Sequence, residues 1–215
     1  MSSINPHFTI QYSQPEDYRF SHDSVFLSRR VFEILKSSSQ KRDFVLDLCS
    51  GCGVVGIDYL FHLEQNQFSP PEQMDFMEVQ AIYHSHFVKN IAVLNPQHSF
   101  QFLTMNYSKV TQHTELKNKY DLILCNPPYF KPEMGVLSKS DFKNRCRFMI
   151  DSDFKTLIQS ILYLLKTDGV AFVLIKDLQE NGFSFENELQ DFTIHLNYEK
   201  LEKIRDTDLY KIKSC

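Results

Sequence analysis

The run Asp43-Phe44-Val45-Leu46-Asp47-Leu48, with the loop Cys49-Ser50-Gly51-Cys52-Gly53 behind it, decides the fold of this 215-residue chain. A short apolar run that ends in glycines predicts a buried strand followed by a sharp turn. Residues 54–64 then repeat apolar side chains at helical spacing, which predicts a helix. Strand, glycine loop and helix form the opening unit of an α/β sheet, and such sheets bind ligands beside their first strand.

The alternation of strand and helix continues away from this unit. Upstream, Ser24–Lys36 has helical period, and Asp23 is placed to cap it. Downstream we predict six further strands, two further helices and a turn at Asp168-Gly169. The predicted strands are Met74–Glu78, Phe100–Met105, Tyr120–Cys125, Val170–Ile175, Phe192–Leu196 and Leu209–Lys213, and the predicted helices are Ala81–Leu94 and Phe154–Lys166. Because alternating elements build parallel sheets, we expect an α/β fold with a seven-stranded, mostly parallel sheet and helices on both faces.

Composition and charge narrow the class of protein. At 215 residues, with 42% hydrophobic and 23% charged residues, the chain predicts one globular domain over residues 1–215. No apolar run reaches the roughly 18 to 20 residues that cross a bilayer, and the N-terminus shows no secretion leader, so we expect a cytoplasmic protein without a membrane partner. The net charge of −4 argues against broad electrostatic binding to nucleic acid, so any such contact must be local.

The glycine loop has the features of a nucleoside-binding site. Gly51 and Gly53 let the backbone turn sharply and allow a ligand to approach closely. Asp47 can face a cationic amino-acid group, and Glu78, at the end of the second predicted strand, can accept bonds from both ribose hydroxyls. Two alternatives stay open at this point. One is a turn that merely needs glycine, and the other is a dinucleotide oxidoreductase, since Gly56 completes the pattern G-x-G-x-x-G.

The same loop spells C-x-x-C at Cys49 and Cys52, a pattern found in redox pairs and in halves of zinc sites. Zinc needs two more ligands at suitable spacing, and the sequence holds no second C-x-x-C and no H-x-x-x-H. The odd count of five cysteines fits free thiols in a reducing compartment. We therefore expect no metal site.

The fourth predicted strand ends in Asn126-Pro127-Pro128-Tyr129, which points to one kind of chemistry. Two prolines cannot continue a parallel ladder, so the loop has a rigid, extended shape. An amine attached to an aromatic ring or a carbonyl is a poor nucleophile, because its lone pair is delocalised. If the Asn126 side-chain oxygen and the Pro127 carbonyl each accept one of its hydrogens, the lone pair turns towards an electrophile. Tyr129 can stack on the planar substrate, and no general base is required before attack.

At these residues the chain resembles the class I, Rossmann-like amino-methyltransferases with an N-P-P-Y motif, and the similarity covers nearly the whole chain. Within that group it is most similar to the bacterial tRNA adenine-N(6) methyltransferases that act beside the anticodon of valine tRNA. The chain shares with them its approximate length and the segment Tyr18-Arg19-Phe20-Ser21-His22-Asp23 before the first helix. It also has Cys146-Arg147 where the family has an Ala-Arg dipeptide.

The resemblance implies S-adenosylmethionine as the cofactor and a planar nitrogen as the methyl acceptor. The implied cofactor-binding residues are Phe20, Asp23, Asp47, Gly51, Gly53, Glu78 and Asn106, and the implied catalytic residues are Asn126, Pro127, Pro128 and Tyr129. Asn106 is a departure, because the family usually has Asp there to accept a bond from the adenine amine of the cofactor. An Asn oxygen can still accept that bond.

The stretch 131–147, which follows the N-P-P-Y motif, is the most basic part of the chain, with five basic residues against two acidic ones. A phosphate backbone laid over the site would meet it. The alternative is a solvated loop without a ligand. The expected substrate-binding residues are Phe130, Lys131, Lys143, Arg145 and Arg147.

Two other functions remain open beside methylation of adenine in RNA. Release-factor glutamine methyltransferases use the same loop, but they add an N-terminal domain of several helices where this chain has one. The chain could also be a relative that binds the cofactor or RNA without catalysis, with Asn106 as a sign of lost activity. The intact N-P-P-Y motif argues against this alternative. RNA with an exposed base suits a single domain, because no base must be extracted from a duplex. We therefore expect RNA, specifically tRNA, as the partner, and the oligomeric state stays open.

Overall fold

The computed structural model describes residues 10–94, 99–176, 178–179 and 183–214, and a seven-stranded sheet organises them. In chain order the strands are β1 (Phe44–Leu48), β2 (Gln73–Glu78), β3 (Phe100–Thr104), β4 (Tyr120–Cys125), β5 (Leu165–Lys176), β6 (Leu196–Ile204) and β7 (Thr207–Ser214). Their spatial order is β3-β2-β1-β4-β5-β7-β6. β1 to β5 pair in parallel, whereas β7 runs antiparallel between β5 and β6. The predicted sheet is confirmed.

Helices cover both faces of this sheet. The α-helices of the described ranges are α1 (His22–Leu35), α2 (Val54–Gln65), α3 (Tyr83–Ile91), α4 (Asp141–Arg147), α5 (Phe154–Leu164) and α6 (Phe185–Gln190). Successive side chains of a strand point to opposite faces. Leu122 and Leu124 of β4 accordingly pack in one core with α1, α2 and α3, whereas Ile123 and Cys125 pack in a second core with α5 and α6. None of the described helices has the length and apolar character that crossing a membrane requires.

The strand order reverses at β1. β2 and β3 lie on one side of it, and β4 and β5 lie on the other. Leu48, the last residue of β1, is in register with Cys125, the last residue of β4, and with Met77 near the end of β2. Because adjacent parallel strands end at the same edge, the loops after β1, β2 and β4 open into one crevice.

α2 lies close against β2 because Gly56 has no side chain. A Cβ at Gly56 would lie 2.6 Å from the Cε1 atom of Phe76 and would also overlap Met74. The third glycine of the G-x-G-x-x-G pattern therefore serves the packing of helix on sheet. This packing holds the start of α2, and the glycine loop before it, against the ends of the strands.

The largest departures from the predicted elements lie in the carboxyl-terminal half. The predicted strand Phe192–Leu196 is wrong, because residues 192–195 form a turn and β6 begins only at Leu196. The predicted turn at Asp168-Gly169 is also wrong, since both residues lie within β5, where its pairing with β4 is irregular. β6 is an edge strand, buried only at its two ends, so its sequence lacks the apolar alternation of a half-buried strand.

Two helices also differ from expectation. The N-cap of α1 is Ser21, so Asp23 lies in the first turn and does not cap the helix, although its charge still favours this end of the helix dipole. The basic stretch after the N-P-P-Y motif is not all loop. It contains α4, whose N-cap Ser140 accepts a bond from the Lys143 backbone N–H (3.3 Å).

Candidate active site

A cavity of about 220 Å³ opens at the carboxyl ends of β1, β2 and β4. Segments far apart in the sequence form its wall. They are the residues before α1, the glycine loop, the end of β2, the residues after β3, the N-P-P-Y loop and the stretch 145–152. The crevice that the strand order predicts is therefore present, and most of the predicted site residues line it.

The glycine loop has left-handed backbone at three positions, with φ of 62° at Cys49, 54° at Gly51 and 86° at Gly53. Gly51 lines the cavity, but Gly53 does not. A Cβ at Gly53 would lie 2.9 Å from the ring of Phe87, so both φ and packing require glycine there. Gly53 thus allows the left-handed turn and the close packing against Phe87 that the loop requires, whereas Gly51 forms part of the cavity wall.

Glu78 lines the cavity at the end of β2. Its Oε2 atom accepts from the Gly51 backbone N–H (2.9 Å), and its Oε1 atom accepts from the Gln80 backbone N–H (2.9 Å). Burial raises the pKa of this carboxyl, and the bonds from the backbone oppose that rise. Beyond these bonds from backbone N–H groups, the carboxylate keeps acceptor capacity for ligand hydroxyls in the cavity.

Asp47 is fully buried and does not line the cavity. Its Oδ2 atom accepts from the Gly56 backbone N–H (2.8 Å), whereas its Oδ1 atom has no partner among the described residues. Burial, with a smaller contribution from the nearby Glu78, raises the pKa of the Asp47 carboxyl to about 8. The carboxyl therefore ties the end of β1 to α2, a position different from the expected direct contact with a ligand.

Asn106 lines the cavity and caps the 3₁₀-helix Tyr107–Gln112. Its Oδ1 atom accepts from the Ser108 backbone N–H (2.8 Å), and its Nδ2 atom donates to the Asp151 carbonyl (2.8 Å). An Asp carboxylate could not donate to that carbonyl. The amide thus makes a contact to the cavity wall at residue 151 that the residue usual in the family could not make.

Asn126 connects the N-P-P-Y loop to α1. Its Nδ2 atom donates to the Ser24 Oγ atom (2.8 Å), across 102 positions of sequence, and its Oδ1 atom accepts from the Tyr129 hydroxyl (2.5 Å). Pro127, Pro128 and all three of these bonded residues line the cavity. Burial is the main cause that raises the pKa of the Tyr129 hydroxyl, so it stays a donor. The amide oxygen thus belongs to a lining residue and has one bond already made.

The N-terminal segment contributes Phe20 but not Asp23 to the cavity wall. The ring of Phe20 packs edge-on against Tyr12, with ring centroids 5.5 Å apart. The Oδ1 atom of Asp23 lies 3.5 Å from the Arg205 guanidinium, and burial raises the pKa of its carboxyl more than that cation lowers it.

The basic stretch divides into residues at the cavity and residues away from it. Arg145 and Arg147 line the cavity together with Phe130, whereas Lys131 and Lys143 do not. Lys131 pairs with Glu188 (3.0 Å), Lys143 lies 3.8 Å from Asp17, and Arg145 pairs with Asp151.

Arg147 differs from the other basic residues at the site. Its guanidinium lies 5.9 Å from the ring centroid of Phe130 and 5.6 Å from that of Phe148, and it forms no ion pair within the described ranges. Two aromatic rings thus hold an exposed cation at the cavity wall.

Several lining residues were not predicted. Ser24 and Tyr18 come from the N-terminal part of the chain, and the stretch Phe148–Ser152 follows α4. Cys146 also lines the cavity, where its Sγ atom lies 3.2 Å from the Tyr83 hydroxyl and 3.4 Å from the Gln80 Nε2 atom. The apolar run Phe148-Met149-Ile150 directly after the basic stretch is the one sequence signal for this wall.

Two polar atoms at the glycine loop have no bond within the described ranges that accounts for them. Asp47 Oδ1 and Ser50 Oγ are buried without a partner among the described residues, and such atoms are rare in folded proteins. Ser50 lines the cavity beside Glu78. Cys49 and Cys52 are free thiols, and the ranges covered by the structure hold no group of three or more His, Cys, Asp or Glu that could bind a metal.

Comparison with known proteins points to methyltransferases. A family model described as methyltransferase small domain matches residues 19–139. The chain is 32% identical over 98 residues to a tRNA1(Val) (adenine(37)-N6)-methyltransferase of Cytophaga hutchinsonii, covering 44% of the chain and 37% of that relative. It is 28% identical over 127 residues to a protein of the same name in Dyadobacter fermentans, covering 59% of the chain and 48% of that relative. The matches thus span less than half the length of these relatives.

Solved structures show the same fold at low sequence identity. A ribosomal protein L11 methylase from Lactobacillus delbrueckii subsp. bulgaricus superposes with a TM-score of 0.57 at 15% identity, covering 90% of this chain and 80% of its own. A TehB-like SAM-dependent methyltransferase from Corynebacterium glutamicum superposes with a TM-score of 0.52 at 12% identity, covering 90% and 88%. The class I, Rossmann-like fold expected from the sequence is confirmed.

The position of Asp47 predicts how stability depends on pH. Its pKa of about 8 in the folded protein exceeds the value of about 4 in an unfolded chain, so between these values the folded state holds a proton that the unfolded state has lost. This contribution is fully present below about pH 4 and is lost as the pH rises through about 8. We expect the free energy of unfolding of Asp47→Asn to fall less between pH 5 and pH 8 than that of the wild type, measured by urea denaturation.

Asp168→Asn is the matched control, because Asp168 is an exposed acid of β5. Its pH dependence should follow that of the wild type. Equal slopes for the wild type and Asp47→Asn would show that the buried carboxyl does not hold the proton.

Proposed function

The chain belongs to the methyltransferase small domain family, and on that premise we propose that it methylates the exocyclic amine of adenine in RNA, with tRNA as the substrate class and S-adenosylmethionine as the methyl donor. The observation that carries the proposal is Asn126-Pro127-Pro128-Tyr129 on the wall of the same cavity as Gly51 and Glu78. A tRNA substrate also fits a cytoplasmic location.

The cavity residues at the carboxyl ends of β1 and β2 fit the cofactor. Bound there, S-adenosylmethionine would supply an electrophilic methyl group on a sulfonium. Glu78 would accept its ribose hydroxyls, and Gly51 would let it lie against the backbone. Phe20 and Asn106 would border the cofactor from either side of the cavity.

The N-P-P-Y loop fits the target amine. The Asn126 Oδ1 atom and the Pro127 carbonyl would accept the two amine hydrogens, which turns the nitrogen lone pair out of conjugation and towards the methyl group. The Tyr129 hydroxyl already uses one lone pair of that Oδ1 atom (2.5 Å), which leaves the second for the amine. The Tyr129 ring would stack on the base. The nitrogen loses its proton after transfer, so these residues hold the substrate and no general base is needed.

The side of the cavity at Arg147 favours RNA over a protein side chain. Arg147 is exposed, lines the cavity and has no acidic partner within the described ranges, so its charge is available to a phosphate. Relatives of this chain are named as methyltransferases of adenine in tRNA. A glutamine side chain would fit the same amide acceptors, and the first experiment below separates the two substrates.

Removal of the Asn126 amide tests the chemistry. We expect Asn126→Ala to lower the rate of methyl transfer into unmodified tRNA about 100-fold or more, because it loses an acceptor that acts on the reacting nitrogen. Cofactor affinity should stay within about twofold of the wild type. The measurement is transfer of labelled methyl, followed by mass analysis of the tRNA nucleosides for N6-methyladenosine.

Three results would contradict the proposal. Label found only in protein would replace RNA by a protein substrate. Methylguanosine in place of methyladenosine would show a different target base. Cofactor binding without transfer to either class of substrate would indicate a non-catalytic protein.

The bond from Asn126 to Ser24 makes Ser24 a positioning residue. We expect Ser24→Ala to lower kcat about tenfold, the worth of one hydrogen bond that fixes the amide, with KM for tRNA and cofactor affinity unchanged. Ser24→Thr keeps the hydroxyl and should retain activity. Equal losses in the two variants, or weaker cofactor binding in Ser24→Ala, would indicate a merely structural role.

The exposed cation at Arg147 predicts a change in salt dependence. We expect Arg147→Ala to reduce the slope of log affinity for tRNA against log salt by about 0.7 to 0.9, the value for one phosphate contact. Lys155→Ala is the control. Lys155 lies on α5, pairs with Asp191 (3.1 Å) and does not line the cavity. If both variants keep the wild-type slope, Arg147 does not bind a phosphate.

A further inference from the structure

Two adjacent apolar side chains are exposed beside the cavity. Val136 is 93% exposed and Leu137 is 47% exposed, between the 3₁₀-helix Pro132–Met134 and α4. Single exposed apolar residues are common on protein surfaces. This pair, called here the Val136–Leu137 tip, differs because the chain on each side of it is anchored.

The first anchor is Gly135, which lies against the ring of Phe148. A Cβ at Gly135 would be only 3.0 Å from that ring, so the backbone lies directly on it. The second anchor is Asn144, which is 5% exposed and binds both backbone groups of Ser138: the Ser138 N–H donates to its Oδ1 atom (2.8 Å), and its Nδ2 atom donates to the Ser138 carbonyl (2.9 Å). The tip is therefore exposed to solvent on a loop that contacts to Phe148 and Asn144 fix on both sides, called here the braced loop.

The tip adjoins the site. Phe148, on which the first anchor rests, lines the cavity, and Asn144 directly precedes Arg145, which lines it too. Two exposed cations flank the tip, Lys139 along the loop and Arg147 next to Phe148, and neither forms an ion pair in the described part of the chain. An apolar pair bordered by free cations matches a partner that combines flat apolar faces with negative charge, which describes the bases and phosphates of RNA.

We propose that the Val136–Leu137 tip inserts between bases of the substrate RNA next to the target adenine, while Lys139 and Arg147 contact the flanking phosphates. This inference rests on the proposed function. A base reaches the N-P-P-Y loop only if it leaves its stack, and an apolar side chain in the vacated space replaces the stacking that its neighbour loses. A braced loop performs this better than a flexible one, because less conformational freedom is lost on binding.

The test uses an RNA hairpin that the wild type methylates, with 2-aminopurine placed next to the target adenine. Insertion of an aliphatic side chain separates the probe from the bases that quench it, so wild-type binding should raise its fluorescence severalfold. Val136→Ala/Leu137→Ala should lose most of this rise and increase KM for the hairpin about tenfold. Because both side chains are exposed, Tm and cofactor affinity should stay at wild-type values.

Two controls make the outcome specific. Val136→Ile/Leu137→Met keeps apolar bulk and should retain the fluorescence rise. Ile194→Ala removes another exposed apolar side chain (84% exposed) that does not line the cavity, and it should behave as the wild type.

Failures of the two proposals are distinguishable. A wild type that methylates no RNA contradicts the proposed function. If the wild type methylates RNA and the double alanine variant keeps the wild-type KM and fluorescence rise, only the insertion is overturned. The tip would then contact a protein or a second copy of this chain. An increased KM with an unchanged fluorescence rise would also overturn insertion, because it would show that the probe unstacks without the tip and that the tip contacts only the RNA surface.

Discussion

The parallel pairing of β1 with β4 is the constraint on which the rest of the molecule depends. It aligns Leu48 with Cys125, so the glycine loop and the N-P-P-Y loop leave the sheet at the same edge. These loops are more than 70 positions apart in sequence, and only this pairing places them around one cavity. A slip of one residue would move the side chains of the slipped strand from one core to the other, and the close packing of the two apolar cores on either side of the sheet holds the register against it.

Hydrogen bonds between distant segments then give the cavity its shape. Glu78 accepts from Gly51, Asn126 donates to Ser24, and Asn106 donates to the Asp151 carbonyl. Each bond joins a strand end to another wall of the cavity and satisfies a polar group that burial would otherwise leave costly. Asp47 is the exception, because one of its oxygens has no partner among the described residues and burial raises the pKa of its carboxyl.

Local sequence pattern predicts an element correctly where the pattern and the tertiary environment agree. β4 was predicted with its observed bounds, because a fully buried strand that prolines end has an unambiguous apolar run. The prediction is wrong at β6, where an edge position leaves the side chains polar, and at Asp23, which lies in the first turn of α1 while Ser21 occupies the N-cap position. Of the predicted site residues, Gly51, Glu78 and the N-P-P-Y residues line the cavity, whereas Asp47, Lys131 and Lys143 do not.

The sequence by itself determined the sheet, the family resemblance and the chemistry of the N-P-P-Y loop, because apolar periodicity, glycine and proline act on neighbouring residues. Only the tertiary structure decided which side chains meet across the crevice. Ser24 bonding Asn126, Asn106 bonding residue 151 and Arg147 resting on two aromatic rings are contacts between elements. Such contacts depend on how helices pack on the sheet, and local spacing carries no information on that packing.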